Sequence, residues 1–152
     1  MPLNKALIGK EYPASAPYEV GREKIREFAT AIGDFNPIYH DEAAAKAAGY
    51  PDIVAPPTFL TTLGFKFGPQ VVGDPELGLN YAMVVHGEQE FELLRPVRPG
   101  DVLVGTPKIA DITAKGRNEF MTYEASISTT GGEKVAIARS VIVSRGTAPQ
   151  EG

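Results

Sequence analysis

Cysteine is absent from this chain of 152 residues, and histidine occurs only twice. The first absence excludes disulfides, thiolate metal sites and a cysteine nucleophile, and it agrees with a reducing compartment. Acid-base chemistry therefore falls to histidine and the carboxylates. No stretch reaches the roughly 18 consecutive apolar residues of a membrane span, and no basic N-terminal region leads into a sustained apolar run. The expectation is a cytoplasmic protein that makes no use of a membrane. Positive charge is in the minority: 15 Lys and Arg stand against 19 Asp and Glu, and the net charge of −4 gives no reason to expect a nucleic-acid surface. Repeats and low-complexity segments are missing too. The length holds one well-buried core and is short for two, so a single domain is expected over residues 1–146, with 147–152 a disordered tail.

What the chain does have is two kinds of periodicity. Ile25, Phe28, Ala29 and Ile32 recur at helical spacing and leave Arg22, Glu23, Lys24, Arg26 and Glu27 to solvent, which predicts a helix stopped by Gly33. Residues 41–48 read as a second, short helix with acidic residues in its first turn, stopped by Gly49 and Pro51. Segment 53–65, in which Pro56 and Pro57 suit a helix start, is too apolar for a surface helix and is expected to be a buried central one. Residues 68–79 are rich in Gly and Pro and read as a loop able to border a cleft. Beyond them the period becomes two. Gln89, Phe91 and Leu93 alternate with Glu88, Glu90 and Glu92, and Met121, Tyr123, Ala125 and Ile127 alternate with Thr122, Glu124, Ser126 and Ser128. Turn signals at Lys115-Gly116 and Gly131-Gly132 separate the last three strands. Helices followed by an antiparallel meander predict an α+β domain in which a curved sheet wraps the central apolar helix.

The richest chemistry lies in Gly33-Asp34-Phe35-Asn36-Pro37-Ile38-Tyr39-His40-Asp41. A helix ends there, and Pro37 fixes its own φ and restricts Asn36, so an acid, Asp34, and a base, His40, share one stiffened loop. Asn36 suits a backbone-supporting role. His86, ahead of the first long strand, is a reserve base. Thr58, Thr61 and Thr62 suit either a tunnel lining or backbone support, and Arg95 and Arg98 either phosphate contacts or solvated turn positions. The alternating glutamates form a polar sheet face, so no metal site is expected.

Three motifs in this order resemble one family: Gly33-Asp34-x-Asn36-Pro37 after an amphipathic helix, Ala55-Pro56-Pro57-Thr58-Phe59 at an apolar helix, and Arg95-Pro96-Val97-Arg98-Pro99-Gly100-Asp101 between strands. Together they resemble the MaoC-like hot-dog dehydratases. The likeness extends from about Ile8 to Arg145 and points to the dehydratase N-terminal branch, with the small subunits of the mycolic-acid-pathway 3-hydroxyacyl-thioester dehydratases. It implies a hot-dog fold, pairing of two such domains as a homodimer or heterodimer, and a tunnel for an acyl-CoA or acyl-carrier-protein thioester. The implied reaction is syn hydration of a trans-2-enoyl thioester or loss of water from an (R)-3-hydroxyacyl thioester, with Asp34 and His40 as the pair. Pro57 and Thr58 would lie at the oxyanion site, and no cofactor is required.

Two departures from that pattern leave alternatives open. Ile38 and Tyr39 separate Pro37 from His40 where the family motif has one residue, so either Tyr39 occupies the histidine position or a bulge returns His40 to Asp34. Pro57 falls where catalytic relatives often have glycine; it has no N–H, which leaves the Thr58 N–H as donor. A self-sufficient hydratase, a non-catalytic partner subunit and an acyl-thioesterase are the three functions to separate.

Overall fold

A computed structural model describes residues 1–150. The helix expected before the polar loop forms as α1 (Arg22–Ala31), with Ile25 and Ala29 fully buried and Phe28 packed edge-on to Phe59, ring centroids 5.5 Å apart. Gly33 takes φ +73°, the left-handed conformation that ends the helix without a Cβ penalty. Asp41 then caps α2 (Glu42–Ala47), its carboxylate accepting the Ala43 N–H.

The apolar helix is displaced from its expected position. It runs as α3 (Thr61–Val72), while Ile53 to Ala55 take no regular secondary structure and residues 57–60 form turns. The cause is hydrogen bonding: the Val54 N–H donates to the Ile38 carbonyl at 3.1 Å and the Ala55 N–H to that of Val97 at 2.7 Å. Those bonds hold the segment as a tie between the polar loop and the 95–101 turn, leaving helix only beyond the prolines. α3 also passes through Gly68-Pro69, expected as loop. Pro69 forfeits one helical bond, to the carbonyl of Phe65, on a turn whose Phe65 stands 78% exposed.

The sheet comprises β1 (Tyr18–Glu19), β2 (Val84–Leu93), β3 (Val102–Lys115), β4 (Asn118–Thr129) and β5 (Lys134–Ser144), in the order β1-β3-β4-β5-β2 and antiparallel throughout. It curls around α3, the α+β hot-dog arrangement. Met121, Tyr123, Ala125 and Ile127 all face the core, as their alternation predicts. Leu63, Phe67, Gly68 and Val71 are the buried residues of α3, and Phe67 lies on Gly105 of β3: a β-carbon there would stand 2.4 Å from the ring.

The two edges of the sheet differ. Backbone bonds from Gly9, Tyr12 and Ser15 to the carbonyls of Ile109, Pro107 and Gly105 lay the N-terminal segment along β3, continuing the line of β1. β2 pairs only with β5, is bulged between His86 and Glu88, and is exposed along most of its length. Of the residues that alternate with the glutamates, Phe91 is half-buried while Gln89 and Leu93 are exposed, because α3 lies over β3 and leaves β2 uncovered.

Charged side chains close the loops. Arg95 grips Asp101 through two bonds of 2.8 and 2.9 Å and reaches Glu133 at 2.6 Å, so it fastens the 95–101 turn rather than standing free for a phosphate. Arg139 sits among Glu90, Glu92 and Glu124, so a protein cation neutralises the acidic run. Of the tail expected to be disordered, Thr147 donates to the buried Glu119 carboxylate at 2.7 Å and Ala148 is buried; residues 151 and 152 lie outside the described residues. No helix among the described residues is long and apolar enough to cross a membrane.

The Phe67–Gly105 contact predicts that Gly105→Ala lowers stability by about 1–3 kcal/mol through overpacking, measured by urea denaturation. Adding Phe67→Leu should recover most of that loss; an equally large loss in the double variant would show that the ring is not what the new methyl meets.

Candidate active site

The polar loop is folded by its own side chains. The Asp34 carboxylate accepts the Asn36 N–H at 3.1 Å, and the Asn36 side chain accepts the Ile38 N–H at 3.2 Å, capping a single 3-10 turn over Pro37–Tyr39. Asn36 thus has the supporting place its residue type suggests. Tyr39 is 8% exposed and turns inward, whereas His40 is half-buried. Burial raises the Tyr39 pKa first, and the negative charge of the nearby Asp34 carboxylate raises it further. Between the two loop geometries left open by the sequence, the side chain drawn into the interior beside Asp34 is the phenol.

His40 is held differently. Its Nε2 lies 3.0 Å from the backbone carbonyl oxygen of Asp34, the Phe35 ring stacks on it at 6.2 Å between centroids, and its own carbonyl accepts from Arg26 Nε at 3.0 Å. A carbonyl can only accept, so Nε2 carries the proton and Nδ1 the lone pair. The imidazole therefore meets the peptide of Asp34, while the Asp34 carboxylate serves the Asn36 amide.

Pro57 and Thr58 occupy the exposed turn ahead of α3. Phe59 donates back to the Pro56 carbonyl and Thr61 to that of Thr58, but the Thr58 N–H has no acceptor among the described residues. The tie from Val54 to Ile38 connects this turn to the polar loop by a short, bonded segment.

A cavity of about 500 Å³ lies elsewhere, between α3 and the sheet. Thr61, Gly64, Phe65, Gly68 and Val72 supply its helical wall and Phe91, Ala138 and Ile142 much of its floor. His86 lines it from the edge strand; Asp34, His40, Pro57 and Thr58 do not. The reserve base is thus separate from the loop pair. Sequence reasoning missed Gln89, Tyr123 and Ser140 as cavity residues. A signal existed for two of them: Tyr123 and Ser140 are polar residues at inward positions of β4 and β5. Thr62 has the bland role, donating to the Phe59 carbonyl at 2.8 Å.

Comparison with known proteins bears on this arrangement. A model of the FAS1-like dehydratase domain region matches residues 6–138. The UPF0336 protein of Saccharopolyspora erythraea is 53% identical over 148 residues, covering 97% of this chain and 95% of that protein. Among solved structures, a chain of the HadBC (3R-hydroxyacyl-ACP dehydratase) complex of Mycobacterium tuberculosis superposes with a TM-score of 0.77 at 28% identity, covering 90% of this chain and 96% of its own. A MaoC-like dehydratase gives 0.85 at 30% identity over 93% of this chain, which spans only 43% of that longer protein.

The burial of Tyr39 beside Asp34 makes a prediction. Ultraviolet titration of the phenol, taken as the difference from Tyr39→Phe, should give a pKa above the ordinary value of about 10. Asp34→Asn should lower it, since a negative charge is removed, yet leave it raised, since burial is the larger cause. No change in the Asp34→Asn titration would place the carboxylate too far from the phenol to act on it.

Proposed function

The chain belongs to the FAS1-like dehydratase domain family, and from that membership we propose that it is the acyl-holding subunit of a two-subunit hot-dog dehydratase. Its partner is a second hot-dog subunit that supplies the acid-base pair, and its substrate is an acyl thioester of CoA or a carrier protein. The observation that carries this reading is the position of His40, whose Nε2 is engaged by the Asp34 peptide carbonyl while the Asp34 carboxylate caps Asn36. Loss of water from an (R)-3-hydroxyacyl thioester needs one group to take the C2 proton and another to protonate the departing C3 hydroxyl as the C2=C3 bond forms. A pair that shares one water suits this; here each of the two side chains makes a bond to backbone and no bond joins one to the other. What the chain does offer is an apolar cavity for the hydrocarbon, one open sheet edge at β2 for the partner, and a Thr58 N–H with no acceptor among the described residues. That N–H could meet negative charge on the thioester oxygen. The HadBC structure is itself a complex of two subunits, which supports pairing of this kind.

A second reading has a specific observation behind it. The carbonyl that holds His40 also fixes its tautomer, leaving Nδ1 as an oriented base, so a homodimer in which Asp34 and His40 catalyse hydration on their own is the alternative.

Hydration of trans-2-enoyl-CoA, followed by loss of the enoyl-thioester absorbance, separates the two. The chain alone should be inactive, and co-expression with a hot-dog protein bearing the complete Asp-x-Asn-Pro-x-His motif should restore activity. In that pair Asp34→Asn and His40→Ala should each cost far less than the roughly 10²- to 10⁴-fold that loss of an acid-base group costs. Activity of the chain alone, abolished by both changes, would overturn the partner-subunit reading and establish the second.

A further inference from the structure

We infer that the cavity beneath α3 is built for an acyl chain that carries a hydroxyl group along its length. The inference rests on the acyl-holding reading and goes beyond it by naming which chain is held. Its basis is the order of donors and acceptors on one wall. Gln89 Nε2 is 3.1 Å from the carbonyl oxygen of Arg139, which can only accept, so the amide orientation is settled. Gln89 Oε1 then accepts from Ser140 Oγ at 2.7 Å and faces His86 Nε2 at 3.2 Å. An amide oxygen has no proton to give, so Ser140 spends its only proton on it and His86 is the Nε2–H tautomer. Two acceptors are left over: the Ser140 oxygen and His86 Nδ1.

One donor faces them. Tyr123 is 8% exposed, lines the same cavity, and has no hydrogen-bond partner for its hydroxyl among the described residues. Space for that hydroxyl is made by Gly68 of α3, where a β-carbon would stand 3.2 Å from it. Ser140 is 4% exposed while Gln89 and His86 stand exposed on the edge strand, so the polar patch runs from the buried wall out to the rim of the cavity.

A plain hydrocarbon filling the cavity would strip water from the phenol and from the Ser140 oxygen and give nothing back. A keto oxygen could accept from Tyr123 but could not satisfy the acceptors. A hydroxyl does both, accepting from Tyr123 and donating to Ser140 Oγ or His86 Nδ1. The arrangement therefore ranks chains: hydroxylated above keto, and both above unsubstituted. The same logic discriminates substrates in sites built around a hydrogen-bonded hydroxyl, where the analogue lacking it leaves buried groups unpaired.

Calorimetric titration of the purified chain tests this with hexadecanoyl-pantetheine and a series bearing one hydroxyl or one keto group at successive positions beyond C3. One hydroxyl position should bind about tenfold more tightly than the plain chain, the equivalent of about 1.4 kcal/mol. In Tyr123→Phe and in Ser140→Ala that ratio should fall toward one. Equal binding of every chain, or a preference that survives both substitutions, overturns the hydroxyl inference and leaves the acyl-holding reading intact. A folded chain that binds none of the probes overturns both.

Discussion

The distance between α3 and the sheet is the constraint on which the rest depends. It is set where Phe67 lies on Gly105, a contact that admits the ring only because β3 has no side chain at that point. Gly105 is in turn fixed from the outer edge: Ser15 donates its N–H to the Gly105 carbonyl at 2.8 Å and accepts the Gly105 N–H on its hydroxyl at 2.9 Å. The N-terminal segment thus holds the strand, the strand seats the ring, and the ring positions the helix. With α3 drawn over β3, the far side of the curled sheet is left open, and that gap is the cavity bordered by β2. A single glycine decides both where the core is dense and where it is hollow.

Much of the fold could be read from periodicity, since the alternation from Met121 to Ile127 and the helical repeat from Ile25 reflect which face is buried. The start of α3 could not. Its position depends on Val54 and Ala55 finding acceptors at Ile38 and Val97, residues 16 and 42 positions away in sequence, and local pattern carries no such information. The same limit explains β2. Alternation of Gln89, Phe91 and Leu93 with glutamates looks like a half-buried strand, but burial requires something to cover the apolar side, and α3 goes elsewhere. Thr147 and Ala148, which composition marks as tail, are held by Glu119 and by the Arg117 carbonyl across the sheet's end.

For the site, residue types were legible and orientations were not. Asp34, Asn36 and His40 do share one loop, and the one-residue excess between Pro37 and His40 marks the place where the geometry divides. A 3-10 turn over Pro37–Tyr39 absorbs the extra residue and sends the phenol inward, because Asn36 caps that turn and Ile38 is tied to Val54. The cavity wall was hidden for a different reason. Gln89 is exposed on an edge strand and Ser140 is buried on its neighbour, and only the β2–β5 register, which sets them opposite each other, makes them one cluster.

These two sites obey opposite electrostatic logic. In the loop, each polar side chain is bonded to backbone: Asp34 to the Asn36 amide, Asn36 to the Ile38 amide, His40 to the Asp34 carbonyl. Such bonds stabilise one conformation of the loop, and a group that must leave its protein partner before it can act loses that bond in doing so. In the cavity, the Gln89 amide oxygen is doubly engaged while Tyr123 and Ser140 retain unused capacity facing an apolar space. Unused hydrogen-bonding capacity in a buried wall has a physical reason to persist when something with complementary groups occupies the space. On the reading proposed above, a domain whose polar loop is bonded to its own backbone and whose cavity wall keeps unused polar groups is arranged to hold a chain, and the β2 edge is the surface at which a second subunit would meet it.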